Sequence, residues 1–136
     1  MTIYFTAVDD AAAATALKDP PSGDETLTSD IAADGDAFNS LIELIWGKSL
    51  ADLESEQTEQ QSVATTRTEG ITRLGTSLVT EIAERDQGEL ADLAGPWAQA
   101  VGSAEAGDLV DFLNDLQHLS RHAKVTGGSV YAVESY

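Results

Sequence analysis

Two stretches of strand-forming sequence stand at opposite ends of this chain, and they constrain its fold more than anything between them. Residues 2–8, TIYFTAV, are rich in β-branched and aromatic types and alternate Ile3, Phe5, Ala7 against Tyr4, Thr6, Val8. Residues 129–135, SVYAVES, repeat the pattern, with Val130 and Ala132 against Tyr131 and Val133. Between them the apolar residues recur at helical spacing. Strands at both termini with helices between predict one α+β domain over residues 1–136. The N- and C-terminal strands pair in a small sheet, packed against several amphipathic helices.

The clearest helix is DAFNSLIELIWG, where Phe38, Leu41, Ile42, Ile45 and Trp46 fall at i, i+3, i+4, i+7 and i+8. Asp34 or Asp36 caps its start and Gly47 closes it. Asp9 or Asp10 caps a short alanine-rich helix that stops at DPP. Residues 22–33 read as a polar connection, and KSLADLES as at most one amphipathic turn through Leu50 and Leu53. The polar run EQTEQQSVATTRTEG has few large apolar groups to offset its ordering entropy, which predicts a mobile loop around residues 54–68. ITRLG is a short extended piece, TSLVTEIAERDQG a helix with Gly88 near its stop, and ELADLAGPW a short helix or turn broken at Gly95 and Pro96. The last helix spans about residues 105–124 and ends at TGG.

Both histidines lie on this last helix. Leu109, Phe112, Leu113, Leu116, Leu119 and Ala123 gather on its core side, at roughly 100° per residue, while Asp111, Asp115, His118 and His122 form a stripe on the opposite side. His118 and His122 are spaced to chelate zinc, and Asp115 could supply a third ligand. The position after His118 is Leu119 rather than the glutamate a metalloprotease needs. Acidic residues early in the helix and Arg121, His122 and Lys124 in its last turns complement the helix dipole, so a solvated face accounts for the whole stripe. We expect no metal and no cofactor. Asp30, Asp34, Gly35 and Asp36 resemble part of a calcium loop, yet Ala32 and Leu41 occupy ligand positions, so helix capping explains the aspartates better.

Composition narrows the function classes. The chain has no cysteine, which excludes disulfides, thiolate metal sites and cysteine nucleophiles and fits a reducing cytoplasm. No window approaches the roughly 20 apolar residues of a membrane span. The net charge is −17, from 24 acidic and seven basic residues, with the acidic groups spread over both halves. Such a surface repels phosphate backbones and anionic lipid and speeds encounter with basic partners; it also serves solubility or reflects a salt-adapted proteome. No phosphate-binding glycine loop, nucleophile elbow or dinucleotide fingerprint is present. Trp46 lies on an apolar stripe, whereas Trp97, after Gly95 and Pro96, is a candidate for partner binding.

Taken in order, IYF, LKDPP, DAFNSLIELIWG and the closing GGSVYAV resemble the YfbM-like bacterial family. The resemblance implies an α+β fold and leans toward interaction rather than catalysis. Ile42 and Trp46 stand where that family carries polar residues, so no site residue comes with it. The leading expectation is a non-enzymatic, acidic, cytoplasmic interaction domain. It would be immunity-like and neutralise a basic protein such as a nuclease-type toxin, binding neither nucleic acid nor membrane. The alternatives are a small enzyme or ligand-binding protein with a pocket between sheet and helices, and a nucleic-acid mimic.

Overall fold

A computed structural model describes residues 2–18, 26–29, 36–47, 61–102 and 105–135. The terminal segments pair as expected. β1 (Thr2–Ala7) runs antiparallel to β5 (Ser129–Ser135), with Thr2 opposite Glu134 and Ala7 opposite Ser129. Three further strands extend the sheet: β2 (Thr26–Ser29) beside β1, β4 (Glu69–Arg73) beside β5, and β3 (Gln61–Thr65) outside β4. The order is β2-β1-β5-β4-β3, antiparallel throughout. The middle strand buries side chains on both faces, with Val130, Tyr131, Ala132 and Val133 all inside, and β1 beside it does so through Tyr4 and Phe5.

The helices are α1 (Asp10–Ala14), continued by a 3-10 turn (Thr15–Leu17), α2 (Asp36–Trp46), α3 (Thr76–Glu84), α4 (Gln87–Val101) and α5 (Ala106–Thr126). The last four share the main core with one face of the sheet. There α5 lies on β1, β2 and β5, flanked by α3 and α4, and α2 packs on α4. Its buried residues include Leu109, Phe112, Leu113, Leu116, Leu119 and Ala123, the predicted stripe. Phe112 joins the layers, edge-on to Tyr4 of β1 with centroids 5.5 Å apart and tilted against Trp97 of α4 at 5.6 Å. The opposite face of the sheet, with Phe5, Ile71, Tyr131 and Val133, is covered by Ala13 and Ala16 of the alanine-rich segment. Leu41 and Ile42 are fully buried and Ile45 partly so; the side chain of Phe38 lies outside the described residues.

Several expectations are corrected. Residues 61–65, placed in the mobile loop around 54–68, form β3; residues 54–60 lie outside the described residues. A polar segment becomes a strand here because β4 supplies its backbone partners, and a register shift between Ser62 and Ala64 accompanies Val63 packing on the second cluster. Residues 26–29 of the supposed polar connection form β2, paired with β1. Gly88 does not end α3. That helix stops at Glu84, and Asp86 starts the next by accepting the Glu89 N–H at 2.8 Å. Nor does Pro96 break the chain: α4 runs through it, with Leu90, Ala94 and Trp97 buried at i, i+4 and i+7. Their burial outweighs the one backbone donor that proline removes. Leu50 and Leu53 lie outside the described residues.

At the C-terminus of α5 the chain must turn sharply into the central strand. Gly127 takes φ 74°, and the Gly128 N–H reaches back to the Ala123 carbonyl at 2.9 Å. A Cβ on Gly128 would stand 2.1 Å from the Ala7 carbonyl oxygen, so only glycine lets α5 enter β5 beside the end of β1.

Leu116 is fully buried at the centre of this packing. Leu116→Ala should lower unfolding free energy by about 2 to 5 kcal/mol in urea denaturation; a change under about 0.5 kcal/mol, typical of exposed sites, would contradict the helix phase.

Candidate functional site

The two aspartates after β1 divide the work. Asp9, with extended backbone, caps α1 by accepting the Ala12 N–H on Oδ1 at 2.7 Å. That leaves Asp10, the first helical residue, to face the sheet. Its carboxylate accepts from Arg73 NH1 at 3.0 Å on each oxygen and from the Tyr131 hydroxyl at 2.7 Å on Oδ1. Arg73 and Tyr131 are cross-strand neighbours on β4 and β5, so the cluster ties α1 to two strands far away in sequence. Burial raises the Tyr131 phenol well above its ordinary pKa, and its hydrogen bond to Asp10 and that carboxylate's charge raise it further; Arg73 opposes them. The cluster borders an open depression of about 480 Å³ at the end of the sheet.

A second polar cluster gathers at the C-terminus of α3. Its last carbonyls have no partner within the helix, and α5 supplies donors. Gln117 Nε2 donates to the Ile82 carbonyl at 3.0 Å and to that of Arg85, and Arg121 Nε donates to Ala83 at 3.0 Å. Lys124 pairs with Glu84 at 3.3 Å. Arg85 in turn donates to the Ile45 carbonyl near the end of α2 at 3.3 Å and pairs with Glu81 and Glu89, both at 3.4 Å. Four of the chain's seven basic residues are thus committed to internal contacts.

The acidic residues of α5 point elsewhere. Asp108, Asp111, Asp115 and His118 are exposed and His122 half-buried, along the side of α5 away from the sheet. Among the described residues no three His, Asp or Glu side chains converge to hold a metal ion. The structure therefore places His118, His122 and Asp115 on one outer face without gathering further ligands around them. Trp97, the candidate for partner binding, has no exposed surface. It packs beside Phe112, so its indole cannot touch a partner. Asp30, Asp34 and Gly35 lie outside the described residues. Sequence reasoning missed Asp10, Arg73, Tyr131 and Gln117; only the tyrosine's place within an apolar strand and a glutamine on a core-flanking helix position hinted at buried hydrogen bonds.

No protein-family model matches the chain, and neither a curated protein nor a solved structure does. Among the described residues no helix is long and apolar enough to cross a membrane.

Two outcomes are expected. Replacing His118 and His122 together with glutamine should change stability by no more than about 0.5 kcal/mol. Micromolar zinc should then move the melting temperature of both proteins equally little; a zinc shift seen in wild type and lost in the double variant would make the stripe a metal site. For Tyr131, the unfolded phenol ionises near the ordinary value of 10.0 and the folded one higher. Its contribution is therefore complete below about pH 10 and is lost as pH rises toward the folded value. Tyr131→Phe should cost about 1 kcal/mol at neutral pH, a modest figure because Asp10 is part-exposed. The gap between variant and wild type should narrow in urea melts above about pH 10.

Proposed function

We propose that this chain is a non-enzymatic, acidic interaction domain whose partner is a basic protein. The carrying observation is the separation of charge within the fold. Arg73 and Arg85 are half-buried in ion pairs, and Arg121 and Lys124, though exposed, are engaged by the end of α3, while Glu105, Asp108, Asp111 and Asp115 stand exposed along α5 and Asp92 along α4. In a molecule of net charge −17 this leaves a helical surface with carboxylates and little to neutralise them. Such a field raises encounter rates with a positively charged cleft and rejects polyanions. The described depressions are open to solvent.

The same reading keeps the likeness to YfbM-like domains and a cytoplasmic, immunity-like role. It is supported by the order of elements, an aromatic strand first, a helix from Asp36 and a long helix leading through glycine into an apolar strand, and by the absence of cysteine.

The test is affinity capture from a lysate of the source organism at low and high salt, comparing wild type with the Asp108→Asn, Asp111→Asn, Asp115→Asn triple variant. Wild type should retain a stoichiometric basic protein that elutes as salt shortens the Debye length from about 30 Å at 0.01 M to about 3 Å at 1 M. The variant should lose that protein while staying folded with little change in melting temperature, because relief of like-charge repulsion is offset by loss of the dipole interaction of Asp108 in the first turn of α5. Capture unaffected by salt and by the triple substitution would overturn the reading.

A further inference from the structure

The depression at the end of the sheet is separate from the acidic face of α5 and independent of the reading above. It lies where β1 and β4 stop and β5 starts, bordered by Val8, Asp9, Asp10, Arg73, Ser129 and Tyr131. Its volume of about 480 Å³ falls in the range of small-molecule clefts, roughly 300 to 1,000 Å³. We infer that it binds a small zwitterion, namely a free amino acid with a short aliphatic side chain.

Three features point to that chemistry. Both bonds from Arg73 to Asp10 run through NH1, so the guanidinium edge formed by Nε and NH2 is not engaged by Asp10; a planar edge of this kind suits a carboxylate. Asp9 is exposed and caps α1 through Oδ1, which leaves Oδ2 outside that bond and able to accept from an ammonium. Val8 is 63% exposed and offers an apolar wall. Charge then selects among ligands. A lone anion meets the field of a −17 molecule and the carboxylates of Asp9 and Asp10, and a lone cation leaves the Nε and NH2 edge of Arg73 without an acceptor. A molecule carrying both groups engages the Arg73 edge and the Asp9 carboxylate together and adds no net charge. The Asp10 carboxylate, held by Arg73 and Tyr131, keeps the guanidinium in place while its other edge binds.

Titration of the 15N-labelled chain with L-valine tests this, with isobutyrate and isobutylammonium as its two charged halves. Valine should give saturable shifts confined to residues 8–11, 73 and 129–131, with a dissociation constant of about 1 mM, and each half should bind at least about tenfold more weakly. Arg73→Lys keeps the charge beside Asp10 but loses the planar edge, and Asp9→Asn keeps the helix cap but loses the charge. Each should weaken valine binding about tenfold or more. Should Arg73→Lys disturb the folded spectrum, Asp9→Asn decides. The proposal is overturned by the absence of saturable shifts, by shifts scattered over the molecule, by halves that bind as tightly as valine, or by undiminished binding to folded Asp9→Asn.

Discussion

The pairing of β1 with β5 is the contact on which the rest of the molecule depends. It joins residues more than a hundred positions apart, Thr2 with Glu134 and Ala7 with Ser129, and so closes the whole chain into one loop. A closure of that length carries a large entropic cost, which the contacts it makes possible must offset. They do so on both sides of the sheet. Tyr4, Val130 and Ala132 meet the helical layer, and Phe5, Tyr131 and Val133 meet the alanine-rich segment. β2 and the β3–β4 hairpin then add to the two outer edges of this pair.

The helix α5 transmits the order of that pair to the other helices. One side of it rests on the sheet through Leu116 and its neighbours, and Phe112 contacts Tyr4 and Trp97 at once. A flanking strip holds α3 by its C-terminal carbonyls through Gln117 and Arg121. The third side, with Asp108, Asp111 and Asp115, is left to solvent. One helix therefore divides its circumference among apolar packing, capping of a neighbour and the acidic surface. In so acidic a chain, cations placed at carbonyls and carboxylates between elements relieve repulsion where the chain is densest.

Legibility followed the range of the interactions. The two terminal strands, the stripe of α2 and the core side of α5 could be read because periodic burial is written residue by residue. β2 and β3 could not, since TLTS and QSVAT become strands through partners that sit elsewhere in the chain. Pro96 and Gly88 misled for the same reason: local preference argues for an interruption, and the burial of Leu90, Ala94 and Trp97 overrules it. The outer face holding His118 and His122 was legible as a stripe. The Asp10, Arg73 and Tyr131 cluster was not, because its members are 63 and 121 residues apart.

The sequence alone determined the α+β class, the pairing of its ends, the phase of the long helices and the negative charge, all properties of local pattern or simple count. Tertiary structure decided the rest. It placed the polar strands at the sheet edges, put Trp97 inside rather than at a surface, gave Asp9 to the helix cap and Asp10 to Arg73, and tied four cations to carbonyls and carboxylates of other parts of the chain while leaving the carboxylates of α5 outside. Each of these depends on which distant groups come within hydrogen-bond or packing distance, and no periodicity along the chain encodes that.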